Sequence, residues 1–282
     1  QGLAGASAAV QNAWAYANER TQGSSSINPE KKASIIEFPD VRRMLMHMKA
    51  VTEGLRALMY TTAWYIDMSN HGPEENREKY QDLLDLHIPI CKAFGTDQGF
   101  EVARIGIQIL GGVGFTKHFP LEQNIRDQKI GSIYEGTNGI QALDLVGRKF
   151  TSKKGLLLKV LEKELRWFDN RSIEGELSGW VAEWNNYRTL MIESIDCMSK
   201  IGEAKGKDGY ILYAANMLDL MGDVLSCFYL LKQAETAQKK WNGMNTHEVS
   251  REELLADNQE AQFYWNKLRT VEYYVWSVLP RA

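Results

Sequence analysis

Proline is scarce in this sequence. Six prolines, widely spaced along 282 residues, permit long uninterrupted helices, because each internal proline removes a backbone hydrogen bond and clashes with the preceding turn. Cysteine is scarcer still. Cys91, Cys197 and Cys227 are odd in number and far apart, which argues against a disulfide framework or a CxxC metal site and fits a reducing compartment. There is no basic excess: the formal net charge of −3 offers no electrostatic footprint for nucleic acid. No apolar run reads as long enough to cross a bilayer. The start, Gln1-Gly2-Leu3-Ala4-Gly5, has no basic region leading into an apolar stretch, so it does not read as a signal peptide. Without an initiator methionine, the chain reads as a piece of a larger protein.

What is present favours helices. Hydrophobic residues make up 44% and charged residues 24%, enough for one large domain or two ordinary ones. Ala6, Ala9, Ala13 and Ala17 recur at three- and four-residue steps, which predicts a helix over 3–22 with a face of small side chains. A turn-rich break covers 23–29. Pro39-Asp40 opens a second helix, whose apolar positions Val41, Leu45, Met48, Val51, Leu55 and Leu58 keep helical spacing. His71-Gly72-Pro73 ends it. A third helix is expected over 75–94, closed by Gly95, and a fourth over 97–110 with Thr96 as its cap. Short helical pieces follow up to Phe150. Thr151-Ser152-Lys153-Lys154-Gly155 reads as a boundary, and helices are expected beyond it over 156–167, 177–201, 209–241 and 251–279. No strand-period segment stands out. The fold class is all-α, with one bundle over 1–150 and a second over 151–282.

Two features could carry chemistry. Gly111-Gly112-Val113-Gly114 ends a helix in a tight turn that either caps it or brings backbone N–H groups to an anion. Glu135 follows a tyrosine, precedes Gly136 and lies just before a helix. There it either complements the helix dipole or faces a ligand through the space that Gly136 clears. His87 and Cys91, four apart, have the spacing of a metal pair, but Pro89 lies between them and no third ligand is near, so no metal site is predicted. The aromatic run from Phe263 to Trp276 reads as core at helical spacing, with a membrane or partner face as the alternative.

The stretch from Gln108 through Gly111-Gly112-x-Gly114-Phe115, Pro120-Leu121-Glu122 and Arg126-Asp127 to Ile133-Tyr134-Glu135-Gly136-Thr137-Asn138-Gly139-Ile140-Gln141 resembles the C-terminal signature of the acyl-CoA dehydrogenases. Tyr16-Ala17-Asn18-Glu19-Arg20 is similar to the family's helix end beside the flavin. The long C-terminal region resembles the branch that includes the methylmercaptopropionyl-CoA dehydrogenases. The resemblance implies a four-helix bundle followed by an accessory helical domain. It implies that Glu135 removes the α-proton of an acyl-CoA and that Gly136 lies against the thioester. It implies FAD as cofactor, with Thr137 and Asn138 on its phosphate and ribitol region, Arg20 and Gln22 on its adenine-diphosphate side, and Gln108 and Gly112 reaching it across a subunit interface. A homodimer or homotetramer, an electron-transfer flavoprotein as partner and a bacterial cytoplasmic location follow, without nucleic acid or membrane contact. A chain lacking the family's preceding domains is expected to be nearly inactive alone. Two alternatives stand beside this reading: a helical oligomerisation module without catalysis, and a DNA-associated flavoprotein of the same fold.

Overall fold

A computed structural model describes residues 1–25, 29–244 and 250–281; part of the 23–29 break lies outside them. Helix α1 (Gly2–Glu19) leads into a small antiparallel hairpin, β1 (Thr21–Ser24) and β2 (Lys32–Ser34). Then come α2 (Pro39–His71), α3 (Glu74–Leu110), α4 (Leu121–Lys129) and α5 (Asn138–Asp144). Beyond them lie α6 (Leu156–Leu165), α7 (Glu176–Lys205), α8 (Lys207–Ile211), α9 (Ala214–Met244), α10 (Arg251–Asp257) and α11 (Gln259–Tyr273). The all-α class holds, and the hairpin is the exception. Its strands are short, polar and mostly exposed, so they carry no apolar alternation to read.

The predicted break at Gly95 is overturned: α3 runs unbroken from Glu74 to Leu110. Glycine in a helix interior costs about 1 kcal/mol relative to alanine. Here it is offset by the close approach of α1. A Cβ on Gly2 would lie 2.1 Å from the Gly95 carbonyl oxygen, and one on Gly99 would lie 2.6 Å from that of Gly2. Ala6, Ala9, Ala13 and Ala17 extend this small-residue seam and are fully buried. A Cβ on Gly95 itself would lie 2.3 Å from the Met59 methyl of α2, so this glycine serves packing inside a continuous helix and does not end it.

Helix α9 packs on α2, α3, α5, α7 and α11. By length and composition (mean hydropathy 1.3) it could cross a bilayer, which corrects the expectation that no run approaches that length, but 72% of that window is buried within the chain. Lys153, Lys154 and Gly155 all take positive φ and turn the chain at the expected boundary. Lys153 ties back to Glu78 at 3.0 Å and to the buried Asp82 at 2.6 Å. Buried side chains from both sides of this turn nevertheless form one continuous core.

Where α2, α3 and α9 meet, the core is polar. His87 Nδ1 lies 2.6 Å from the Leu83 carbonyl and Nε2 lies 2.7 Å from the Tyr229 hydroxyl, which lies 3.1 Å from that of Tyr65. The Leu83 carbonyl only accepts, so His87 donates from Nδ1 and accepts at Nε2. Tyr229 then donates to His87, and Tyr65 donates to Tyr229. Removing the middle hydroxyl orphans two buried groups, whereas removing the outer one orphans none that must donate. Tyr229→Phe should lower stability by about 2 kcal/mol and Tyr65→Phe by clearly less, as read from urea midpoints; equal losses would contradict this directional chain.

Burial lowers the His87 pKa to about 4. Above pH 6.5 the ring is neutral in both folded and unfolded chains. As pH falls from 6.5 to 4, the unfolded chain takes up a proton that the folded one refuses, and about 3 kcal/mol is lost. Asp223, whose carboxylate accepts from the Tyr274 hydroxyl at 2.9 Å, is raised by burial to about 7. Its contribution is full below its unfolded value near 3.8 and is lost as pH rises to 7. The two groups therefore oppose each other. Asp223→Asn should make stability fall more steeply than in the parent between pH 6.5 and 4; parallel curves would refute this.

Candidate functional site

A single turn of 3₁₀ helix, Ile130–Ser132, delivers the chain to the segment Ile133 to Thr137. Glu135 sits at φ 54° and Gly136 at φ 80°, so two consecutive residues are left-handed. Glycine tolerates this; glutamate does so at a cost of about 1 kcal/mol. Thr137 then caps α5, its Oγ1 accepting the Ile140 N–H at 3.2 Å. The Glu135 side chain is exposed, and Gln141 Nε2 donates to its backbone carbonyl at 3.3 Å. The carboxylate itself accepts no hydrogen bond among the described residues.

The segment is moored to α3. Lys92 Nζ donates to the Gly136 carbonyl at 2.7 Å and to Asn138 Oδ1 at 2.8 Å. Asn138 Nδ2 donates to the Ala93 carbonyl at 3.2 Å and to Thr96 Oγ1 at 3.0 Å. The amide of Asn138 is thus spent within the chain, while Thr137 and Gly136 stay exposed. Burial lowers the pKa of Lys92, and the charges of Asp97 and Glu135 oppose that shift. Sequence reading missed Lys92. Nothing in its own neighbourhood marks it, because its partners lie 44 and 46 positions away.

Arg20, Gln22, Gln108 and Gly112 come together elsewhere. With Phe38 and Gly23 they line an open groove of about 720 Å³ between the end of α1, the hairpin and the end of α3. Among the described residues of this lining, Arg20 is the one that carries a charge. A Cβ at Gly112 would meet nothing within 4 Å, so packing within the chain does not require glycine there. Gly111 sits at φ 64°, where glycine is the relaxed choice. A cation, two amides and a bare glycine floor suit a bulky anionic group such as a dinucleotide diphosphate.

The chain does not join the two sets. Thr96 and Gln108 are twelve residues apart on α3, roughly 18 Å along its axis, and Glu135 is not among the groove's lining residues. His87 and Cys91 are engaged in the core, the first by Tyr229 and the second by Thr62 Oγ1 at 3.2 Å. His47 is buried in α2, with its pKa lowered by burial to about 4. In the aromatic C-terminal run, Leu268, Val271, Tyr274 and Val275 are buried, whereas Phe263 and Trp276 are exposed.

Residues 1–150 match the family described as acyl-CoA dehydrogenase, C-terminal domain, and residues 172–282 match the acetyl-CoA dehydrogenase C-terminal-like family. The chain is 34% identical to 3-methylmercaptopropionyl-CoA dehydrogenase of Ruegeria pomeroyi over 99% of its own length and 45% of that relative. It is 30% identical to the broad-specificity linear acyl-CoA dehydrogenase FadE5 of Mycobacterium tuberculosis over 95% of its length and 44% of that protein. It thus spans less than half of these curated relatives. Among solved structures, an acyl-CoA dehydrogenase complexed with FAD from Bacillus anthracis superposes with a TM-score of 0.65 at 22% identity, covering 97% of this chain and 46% of that one. Caenorhabditis elegans ACDH-11 in complex with C11-CoA gives 0.66 at 17% identity, covering 98% and 41%.

The left-handed pair makes a stability prediction independent of any ligand. Glu135→Gly should raise stability by about 0.5–1 kcal/mol by relieving the strained backbone. Gly136→Ala should lower it by about 1–2 kcal/mol, since its Cβ would also lie 3.0 Å from Gln141 Nε2. Thermal unfolding of the two variants tests this, and a Glu135→Gly variant less stable than the parent contradicts it.

Proposed function

The chain belongs to the acyl-CoA dehydrogenase family, and from that premise we propose that it is the helical C-terminal portion of an enzyme that desaturates an acyl-CoA to a trans-2-enoyl-CoA. The observation that carries this reading is the backbone at Glu135. An exposed carboxylate is held in a strained conformation beside a glycine, on a segment moored to a core helix. Strain of this kind persists where surrounding structure over-determines it, and it clusters at functional sites.

In this reading Glu135 removes the α-proton. That proton is only weakly acidic, and an acyl chain lying over the carboxylate would desolvate it and strengthen it as a base. Gly136 leaves room for the thioester, whose oxygen gathers negative charge as the proton leaves. FAD, when bound, supplies the acceptor for the β-hydride. Arg20, Gln22, Gln108 and Gly112 would hold its anionic part in their groove, and Thr137 keeps a hydroxyl hydrogen to offer. Asn138 acts on this site through the fold, its amide being turned toward α3.

The roughly 18 Å along α3 between the two sets favours a site completed by a second copy, hence a homodimer or homotetramer. Residues 1–150 form the flavin- and substrate-facing bundle, and 151–282 form an accessory helical domain. Electrons pass to an electron-transfer flavoprotein, and the bacterial relatives support a cytoplasmic location. Because the chain spans less than half the length of its relatives, residues 1–282 alone should turn over little or no substrate.

Replacing Glu135 by Gln in the full-length protein tests the assignment with an artificial electron acceptor. Turnover should fall by about 10²–10⁴-fold, with flavin binding retained by absorbance. Unchanged turnover would instead leave the chain as a helical association module.

A further inference from the structure

We infer that Lys92 is a positioning residue for Glu135, clamping the left-handed segment to α3. This rests on the reading of Glu135 as the base. The geometry is local and specific. Lys92 lies on α3, between the buried Ile90 and Ala93, so its stem starts from a fixed backbone. Its ammonium reaches the Gly136 carbonyl at 2.7 Å and Asn138 Oδ1 at 2.8 Å, gripping both the residue that follows the base and the first residue of α5. Other side chains tether the flanks of the pair: Asn138 Nδ2 donates to the Ala93 carbonyl and to Thr96 Oγ1, and the Tyr134 hydroxyl donates to Gln1 Oε1. At the pair itself the other support is longer. Gln141 Nε2 meets the Glu135 carbonyl at 3.3 Å in an exposed contact, and Thr137 caps only its own helix.

A neutral donor would suffice to hold a carbonyl. An ammonium also carries a charge that the carboxylates of Asp97 and, to a smaller extent, Glu135 favour against the cost of its burial. The lysine is half-buried, where such attraction is screened less than at a free surface. Two left-handed residues in succession need outside support to stay in one conformation, and the effective geometry of a base depends on that support. Lys92 touches neither substrate nor the reacting atoms in this reading. It acts through the segment it holds.

The test is made in the full-length protein with its flavin bound, measuring kcat, KM for acyl-CoA and the kinetic isotope effect on kcat from α-deuterated substrate. Lys92→Met should lower kcat about tenfold to a hundredfold, leave KM within about twofold, and raise the isotope effect as α-proton removal becomes more rate-limiting. Lys92→Arg, which keeps the charge and two donors, should recover most of the loss. Should Lys92→Met fail to fold, the same readings on Lys92→Gln decide, since that side chain keeps a donor and loses the charge. An unchanged kcat and isotope effect overturns the proposal, as does a loss of kcat with an unaltered isotope effect. Glu135→Gln run in parallel separates the two readings: if that variant stays active, the base assignment fails and this proposal with it. If it is dead while Lys92→Met behaves as the parent, only the positioning role fails.

Discussion

The close approach of α1 to α3 is the contact on which the rest of the architecture depends. Two glycines at the crossing, Gly2 and Gly99, bring the two backbones almost into touch, and four buried alanines line α1 beyond them. That approach keeps α3 helical through Gly95, where the local sequence favours a stop. The continuity matters because α3 carries both candidate half-sites. Lys92 and Thr96 hold the Glu135 segment near its middle, and Gln108 to Gly112 floor the groove at its end. A break at Gly95 would free these two regions to move relative to each other. Unbroken, the helix fixes their separation.

The second half of the chain is joined to this frame through its interior. Helix α9 inserts Phe228 and Tyr229 into the core. Phe228 stacks on Trp184 at 5.2 Å, and Tyr229 completes the hydrogen-bonded chain with His87 and Tyr65. Apolar packing alone would let α9 slide along α2 and α3, since dispersion and hydrophobic burial have little direction. A buried hydroxyl with one donor and one acceptor partner sets the register. Burial lowers the His87 pKa and so keeps the ring neutral, which leaves Nε2 free to accept from Tyr229.

Much of the helical frame was legible because period and composition decide it. The alanine face of α1, the start of α2 at Pro39 and the end of α3 at Gly111 were all readable from local residues. Gly95 was misread, since a glycine that ends a helix and one that lets another helix approach look alike until the partner is known. The hairpin escaped notice because its strands are three and four residues long and have polar, exposed faces. For the site, the strained position of Glu135 could be anticipated only in part. The tyrosine-glutamate-glycine order marked it, but φ did not follow from the residue types. Arg20, Gln22, Gln108 and Gly112 were each named from likeness to a family; that they line one groove of the chain did not follow from spacing, because more than eighty positions separate the two pairs. Lys92 was invisible for the same reason.

A carboxylate proposed to abstract a proton faces opposing demands, and the arrangement at residues 134–138 is suited to both. Placed on a helix, a glutamate is well fixed, but its Cα–Cβ bond leans toward the helix start and regular neighbours crowd it. Placed on an ordinary loop it projects freely but wanders, and each uncertain rotamer and dihedral lowers the fraction of encounters with the right geometry. Here the backbone leaves the helical path through the left-handed Glu135 and Gly136 and the extended Thr137, which leaves the Glu135 side chain exposed, and then enters α5. The excursion is short enough for a single lysine to span, reaching from a helix whose own position is set by the glycine crossing. The rigidity of the helical core is thereby lent to a residue that lies outside it, and the strain at Glu135 is the measure of how firmly the surrounding contacts hold.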